Sequence, residues 1–177
     1  MAAKVPQNVL DAVYGSKQAD WRQHKNGGGW VYKTATVGDS AYLHSTSIVY
    51  GDARVFGDAQ VFGDARVCGD ARVYGNARVC GNARVFGDAR VCGDAWEVSP
   101  PYIQGTRHAM TLCSLTQIAV GCHVYNITDW LARYKTIGKA EGYTAEQVAE
   151  YGRHLAYIAA IAKRLQTAQV KAAKAKK

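Results

Sequence analysis

The chain has 177 residues, with 22 Lys and Arg against 14 Asp and Glu and a formal net charge of +8. This length allows one core with a small appended unit. The first apolar stretch, "VLDAVYG", is short and carries an acid, and no stretch approaches the length of a membrane span, so we expect neither a signal peptide nor membrane insertion. The five cysteines lack CxxC spacing, which argues against a zinc site, and we expect thiols in a reducing cytoplasm.

Residues 1–34 precede the repeat that dominates the chain, and we predict that they form an N-terminal cap. The open end of a repeat structure exposes unpaired backbone groups, which invite pairing with other chains unless they are covered. This segment has five Lys and Arg against two Asp, so part of the surplus positive charge lies here.

A six-residue repeat occupies residues 35–96. A small residue, usually Ala, recurs every six positions, an aliphatic residue follows two positions later, and Gly-Asp or Gly-Asn separates the later units. Gly at this frequency would cost a helix about 1 kcal/mol at each occurrence. The pattern is typical of short strands joined by tight turns, because Gly, Asn and Asp accept the backbone angles that such turns need. Three strands would close one triangular coil, and coils would stack about 4.8 Å apart.

The unit "VFGDAR" resembles the motif of hexapeptide-repeat proteins. The resemblance implies a left-handed parallel β-helix, so that the predicted fold class is mainly β, and it implies a homotrimer or a higher oligomer. One position departs from the family pattern. The residue after the aliphatic one is often Gly in the family, whereas here it is Phe, Tyr or Cys through most of the repeat.

Outward side chains of such a coil line up every 18 residues. All three faces then carry apolar side chains, and monomers seldom leave large apolar patches uncovered, so we expect another copy of the chain to cover them. The predicted columns are Arg54, Arg72 and Arg90 beside Phe56, Tyr74 and Cys92; Tyr42, Gln60 and Arg78 beside His44, Phe62 and Cys80; and Ile48, Arg66 and Arg84 beside Tyr50, Cys68 and Phe86.

Residues 97–127 are predicted to form a β-hairpin cap. The segments "TRHAMTL" and "TQIAVGCHVYNI" alternate between apolar and polar residues as strands do. We expect this hairpin to close the open end of the solenoid.

Residues 128–177 are predicted to form two helices and a basic tail. Thr128 is the expected N-cap of the first helix and Gly142 its end, while Thr144 and Gln147 make a capping-box pattern for the second. An apolar stripe on the second helix is expected to pack on the first helix or on the same helix of another subunit. The stripe consists of Val148, Tyr151, Leu155, Ile158 and Ala162. The tail "KRLQTAQVKAAKAKK" has no acid and no recognised nucleic-acid-binding motif, and we do not expect nucleic acid as a partner.

The C-terminal block from "SPPYIQGTRHAM" through "GCHVYNITDWLARYKTIGKAEGYT" is similar to a module attached to hexapeptide repeats in bacteriophage and prophage proteins. This resemblance implies action in the cytoplasm of a bacterial host. Other small oligomeric phage proteins sequester nucleotide immune signals made by the host, which suggests a sponge by analogy.

An acyltransferase is one candidate function, since many hexapeptide-repeat proteins transfer an acyl group from coenzyme A with a His as general base. Of the five His in the chain, His44 at an outward strand position is the best placed for that role. The hexads run from Val49 to Ala95 without the long loop that helps to enclose the donor in many of these enzymes.

The favoured candidate is a non-catalytic protein that binds an anionic nucleotide-type ligand, without cofactor, metal or catalytic residue. Arg suits bidentate phosphate contacts and aromatic rings can stack on a base. Stacked arginines repel each other, which a bound phosphate or, alternatively, the aspartates of the turns would relieve. A structural phage component is a further alternative. The predicted ligand-binding residues are Arg54, Arg72, Arg90, Phe56 and Tyr74 on the solenoid, with Gln104, Arg107, His108 and His123 in the hairpin.

Overall fold

The computed structural model describes residues 3–92, 95–96 and 98–175. The chain divides into two compact units, Met1–Pro100 and Pro101–Lys177, which we call the solenoid unit and the C-terminal unit. The fold is a parallel β-solenoid followed by antiparallel strands and two helices, as predicted. No helix in the described part of the chain combines the length and hydropathy that a bilayer crossing requires.

The described residues of the solenoid unit contain thirteen short strands. They are β1 Trp21–Gln23, β2 Trp30–Tyr32, β3 Thr36–Val37, β4 Tyr42–Leu43, β5 Ile48–Val49, β6 Arg54–Val55, β7 Gln60–Val61, β8 Arg66–Val67, β9 Arg72–Tyr74, β10 Arg78–Val79, β11 Arg84–Val85, β12 Arg90–Cys92 and β13 Ala95–Trp96. They form three sheets, in the orders β1-β2-β5-β8-β11, β13-β10-β7-β4 and β12-β9-β6-β3. All pairs are parallel except β1 with β2.

The 18-residue register of the coils is confirmed. Arg54 pairs with Arg72, and Arg72 with Arg90, while Val55 lies over Val73 in the same sheet. From Ala53 to Val91, the Ala and Val side chains of the repeat fill the interior and are buried. At the corners the glycines have positive φ, and a Cβ added at Gly51 would lie 2.8 Å from the backbone nitrogen of the stacked Gly69. The corners therefore require Gly for close stacking as well as for backbone conformation.

The last coil departs from this register by one residue. Ala95 pairs with Arg78 and Trp96 with Val79, a separation of 17 residues where the other coils have 18. Trp96 is only 2% exposed and takes the interior position, whereas the repeat frame predicts an outward position for it and the interior small position for Ala95. This slip ends the repeat, and a hydrogen bond from the Arg84 backbone N–H to Ser99 Oγ (2.9 Å) covers part of the last edge.

The N-terminal segment covers one end of the β5 sheet. It contains helix α1, Gln7–Leu10. The side chains of Val5, Val9 and Trp21 from this segment pack with Trp30 and Ile48 in one buried cluster. The expectation that another copy of the chain covers Ile48 and Tyr50 is wrong in this respect. Ile48 is buried and Tyr50 partly buried against the chain's own cap.

The C-terminal unit is a four-stranded antiparallel sheet with two helices. The strands follow chain order as β14 Tyr102–Gln104, β15 Ala109–Ser114, β16 Gln117–Val120 and β17 His123–Asn126. The predicted hairpin is present as β15 and β16, and a further strand extends it on each side. The second predicted strand is divided in two because Gly121, with φ of 54°, turns the chain between β16 and β17.

Helices α2, Ile127–Ala140, and α3, Ala145–Ala175, complete this unit. The N-cap of α2 is Asn126, so the assignment of Thr128 to that position is wrong. Gly142, with φ of 68°, follows the helix end as predicted. The capping box of α3 is confirmed by hydrogen bonds from Thr144 N to Gln147 Oε1 (3.0 Å) and from Gln147 N to Thr144 Oγ1 (3.2 Å).

The apolar stripe of α3 packs within the same chain. Tyr151, Leu155, Ile158 and Ala162 are buried, and α3 contacts α2 and β15. Of the two partners left open by the sequence, the first helix is therefore the one that covers this stripe.

Candidate ligand-binding sites

One face of the solenoid unit, built by β3, β6, β9 and β12, carries the predicted arginine column, and we call it the arginine face. Arg54, Arg72 and Arg90 occupy equivalent strand positions in register, about 4.8 Å from coil to coil. Arg54 and Arg72 are exposed and Arg90 is partly buried. The described aspartates of the repeat lie at the corners. Among the described residues, no ion pair joins one of them to these arginines.

Aromatic rings run beside the arginines on the same face. Phe56 and Tyr74 stack with ring centroids 5.4 Å apart and planes within 10° of parallel. Phe56 is 43% exposed, and Cys92 continues the column because it pairs with Tyr74. The structure thus brings together all five solenoid residues predicted from the 18-residue period.

On the other two faces, the arginines have different aromatic neighbours. The Arg78 guanidinium lies 5.5 Å from the ring centroid of Phe62, and Phe62 in turn packs on Tyr42 at 5.1 Å. Arg66 and Arg84 align in register near Tyr50, whose pKa is raised mainly by burial and further by its hydrogen bond with Cys68. Phe56 and Tyr74 on the arginine face thus stack in parallel, whereas Tyr42 and Phe62 are tilted by 39° to each other.

His44, the candidate general base, is anchored at a coil corner. Its Nδ1 lies 3.0 Å from Thr46 Oγ1, and the Thr46 hydroxyl donates to the Gly63 carbonyl at 2.7 Å. His44 also forms a β-bridge with Gly28 of the N-terminal segment and is partly buried. These contacts give the ring a structural role that does not depend on catalysis.

Tyr151 organises the predicted site of the C-terminal unit. Its hydroxyl donates to the His108 carbonyl (2.7 Å) and accepts from the backbone N–H groups of Arg107 (3.1 Å) and His108 (2.5 Å). The ring is 4% exposed. A Cβ added at Gly105 would lie 2.5 Å from the Tyr151 oxygen, so this turn also needs Gly. The sequence placed Tyr151 in the apolar stripe and gave no signal for this polar role.

Gln104 and Arg107 are exposed but held by their own neighbours. Arg107 Nη1 donates to the carbonyls of Glu141 (3.1 Å) and Gly142 (3.0 Å) at the end of α2, and its guanidinium lies 4.6 Å from the ring centroid of Tyr143. A cation there is favourable, because the last carbonyls of a helix carry partial negative charge. Gln104 Oε1 accepts a hydrogen bond from the Tyr102 hydroxyl at 2.8 Å.

The same turn is fixed by a carboxylate on α3. Glu150 accepts hydrogen bonds from Thr106 N (3.0 Å) and Thr106 Oγ1 (2.6 Å), and His154 Nε2 lies 3.4 Å from it. The Thr106 hydroxyl, and to a lesser degree its N–H and His154, hold the pKa of Glu150 below its usual value. These residues have a positioning role that sequence analysis missed.

A pocket of about 50 Å³ lies between the sheet and helices of the C-terminal unit. His108 and His123 both line it, so the structure brings these two predicted residues together, whereas Gln104 and Arg107 lie outside its lining. His123 Nε2 is 3.1 Å from Glu141 Oε1. Tyr143 also lines the pocket, and burial is the main cause that raises its pKa to about 12.

Comparison with known proteins identifies the repeat. The family model described as YdcK beta solenoid repeat matches four overlapping segments of the solenoid unit, residues 59–75, 65–81, 71–84 and 77–93. The chain is a β-solenoid repeat protein. Together the matched segments span residues 59–93, which include Arg72, Tyr74 and Arg90. No curated protein and no solved structure matches the chain significantly.

Proposed function

We propose that this β-solenoid repeat protein is a non-catalytic binding protein for an anionic nucleotide-type ligand, held on the arginine face. The observation that carries the proposal is the alignment of Arg54, Arg72 and Arg90 beside the parallel rings of Phe56 and Tyr74. A nucleotide combines phosphate groups with a flat aromatic base, and this face offers guanidinium groups and flat rings side by side.

Electrostatics supports an anion at this face. Two unit charges about 5 Å apart repel by nearly 1 kcal/mol even in water, and Arg54, Arg72 and Arg90 are stacked at about the spacing of neighbouring strands. A phosphate between neighbouring guanidinium groups replaces this repulsion with charge-assisted, bidentate hydrogen bonds. The exposed ring of Phe56 supplies a surface on which a base can stack.

The proposal includes self-association and a biological setting. Exposed Phe86, on another face of the solenoid unit, leaves apolar surface for a second copy of the chain, so a homotrimer or higher oligomer would present the arginine face several times. In the form suggested by the resemblance to phage proteins, such an oligomer sequesters cyclic nucleotide signals of the host.

The test is calorimetry with cyclic dinucleotides, cyclic trinucleotides and cyclic ADP-ribose isomers on the wild type, Arg72→Ala and Arg78→Ala. One charge-assisted contact is worth roughly 1.5–3 kcal/mol, so we expect Arg72→Ala to weaken binding about ten- to a hundredfold. Arg78→Ala is the matched control, because Arg78 lies on another face against Phe62. It should change the affinity less than about twofold.

Two results would contradict the proposal. The first is the absence of any ligand in the panel that binds tighter than millimolar. The second is an equal loss in Arg72→Ala and Arg78→Ala, which would indicate unspecific attraction to net charge. Acetyl transfer from acetyl-coenzyme A that is lost in His44→Ala would favour the acyltransferase instead.

A further inference from the structure

Four aromatic side chains surround the pocket of the C-terminal unit. Trp130 and Tyr134 come from α2, Tyr143 from the segment between the helices, and Tyr151 from α3. Trp130 and Tyr151 are buried, while Tyr134 and Tyr143 are partly buried. Apolar side chains, among them buried Met110, also line the pocket, together with His108, His123 and Glu141.

Contacts on every side hold these rings in place. Trp130 Nε1 donates to the Ile118 carbonyl at 2.8 Å, and the Tyr151 hydroxyl is bonded to backbone groups of the turn before β15. Tyr143 meets the edge of Tyr151 with centroids 5.0 Å apart and planes at 71°. The ring of Tyr134 lies against Gly152, where an added Cβ would be 2.6 Å from it. A ligand would therefore meet a preformed ring of aromatic surfaces.

Negative charge lies at one side of this pocket. Glu141 lines it at the C-terminal end of α2, where the helix dipole also favours a cation. About half of the Glu141 side-chain surface is exposed (51%), and its Oε1 contacts His123. Arg107 is outside the lining of the pocket: its guanidinium donates to the carbonyls of Glu141 and Gly142 and lies 4.6 Å from the ring centroid of Tyr143.

The size and polarity of the pocket restrict the chemical class of ligand that it can bind. A pocket of about 50 Å³ is below the usual range of pockets that enclose drug-sized molecules, so it can take only a small group of a ligand. An anion would meet the Glu141 carboxylate. An unsubstituted ammonium group has three strongly hydrated N–H donors, so its transfer into a mainly aromatic and apolar lining costs more hydration than that of a methylated one. A methylated ammonium group has a positive charge with an apolar surface, and ring faces attract such cations.

We propose that this pocket binds the methylated ammonium head of a small ligand, with Trp130, Tyr134, Tyr143 and Tyr151 around the methyl groups and Glu141 as the counter-charge. This site is independent of the arginine face and takes a ligand of opposite charge. Its ligand has two possible sources with the same chemistry, a free choline-type molecule or a methylated lysine side chain.

The experiment compares choline with 3,3-dimethylbutanol, which has nearly the same shape and no charge, by calorimetry or NMR titration of the full chain. We expect choline to bind at least about tenfold tighter. Equal affinities would show a merely apolar pocket and would overturn the proposal. A third titrant, N-acetyl-trimethyllysine methyl ester, distinguishes the two sources, since the tighter binder of the two cations identifies its class.

Substitutions test the proposed roles of Glu141 and Tyr143 in cation binding. Glu141→Gln removes the counter-charge at a half-exposed position and should weaken choline binding about tenfold, as should Tyr143→Leu. Glu146→Gln is the matched control, because it removes a carboxylate on α3 that is exposed and outside the pocket lining. If the tighter-binding of the two cations is bound equally well by Glu141→Gln, or more weakly than about 10 mM by the wild type, the proposal is overturned whether or not Tyr143→Leu folds.

Discussion

The solenoid unit and the C-terminal unit bury their side chains in opposite ways. Inside the solenoid, the same two residue types, Ala and Val, repeat through the coils, and backbone hydrogen bonds between coils satisfy the polar groups. In the C-terminal unit, single side chains such as Tyr151 and Trp130 satisfy particular backbone groups once each. In the solenoid, the residues that stabilise the fold and the residues that could bind a ligand are therefore different, because its outward positions contribute little to the core. In the C-terminal unit, the same residue can stabilise the fold and line the pocket, as Tyr151 and Trp130 do.

The largest effect that tests this comparison is expected at a solenoid corner. Gly69 has φ of 70°, and a Cβ there would lie 2.9 Å from the backbone nitrogen of Gly87. We expect Gly69→Ala to lower the free energy of unfolding by about 3 kcal/mol, from the left-handed conformation and the stacking clash together. Gly142 in the C-terminal unit has a similar φ of 68° with open space around it, so Gly142→Ala should cost about 1 kcal/mol.

Urea unfolding followed by tryptophan fluorescence and circular dichroism measures both variants, with each transition fitted separately. Equal costs for the two substitutions would mean that coil stacking does not tighten the requirement for Gly. The distinction between the units would then rest on residue content alone.

A smaller effect is expected from one hydroxyl in the C-terminal unit. Tyr151→Phe keeps the ring but leaves the backbone groups of Arg107 and His108 without their partner. We expect a loss of about 2 kcal/mol in the free energy of unfolding. Tyr157, which is 63% exposed on the same helix, provides the control, and Tyr157→Phe should stay within about 0.5 kcal/mol of wild type.

Thermal and urea unfolding of the two Tyr variants provide the measurement. A Tyr151→Phe protein as stable as Tyr157→Phe would show that water replaces the hydroxyl at no cost. The C-terminal unit would then depend on single polar contacts less than we infer.

The smallest effect concerns the helix caps. Thr144→Ala removes the capping hydrogen bond of α3 and should cost about 1 kcal/mol. Thr128 was the N-cap predicted from the sequence for α2, but it lies inside the helix and is exposed. Thr128→Ala should therefore change the free energy of unfolding by less than about 0.5 kcal/mol. A larger loss in Thr128→Ala than in Thr144→Ala would contradict the caps of the structure.

Periodicity explains what could be predicted from the sequence. Because each coil uses three hexads, the 18-residue alignment of Arg54, Arg72 and Arg90, with Phe56 and Tyr74 beside them, follows from counting. The capping box of α3 was also readable, since it depends on residues three positions apart.

Contacts between residues that have no regular spacing could not be predicted from the sequence in the same way. No spacing links Val5 or Trp21 to Ile48, so the cover over that face was missed. Trp96 lies in the interior because the last coil is shifted by one residue in register, whereas the regular six-residue spacing predicts an outward position for it. The bonds of Tyr151 reach a turn 43 and 44 residues away, and its apolar spacing on α3 suggested only packing.

The 18-residue coil also constrains how such a chain can change length during evolution. Duplication or loss of a whole coil, from Arg54 to Ala71 for example, keeps every later strand on its own face and moves it by about one strand spacing. Duplication of a single hexad instead shifts every later strand to the next face, so that arginines leave their column. Gene variants that differ by multiples of 18 codons within the repeat should therefore be tolerated far more often than those that differ by six or twelve.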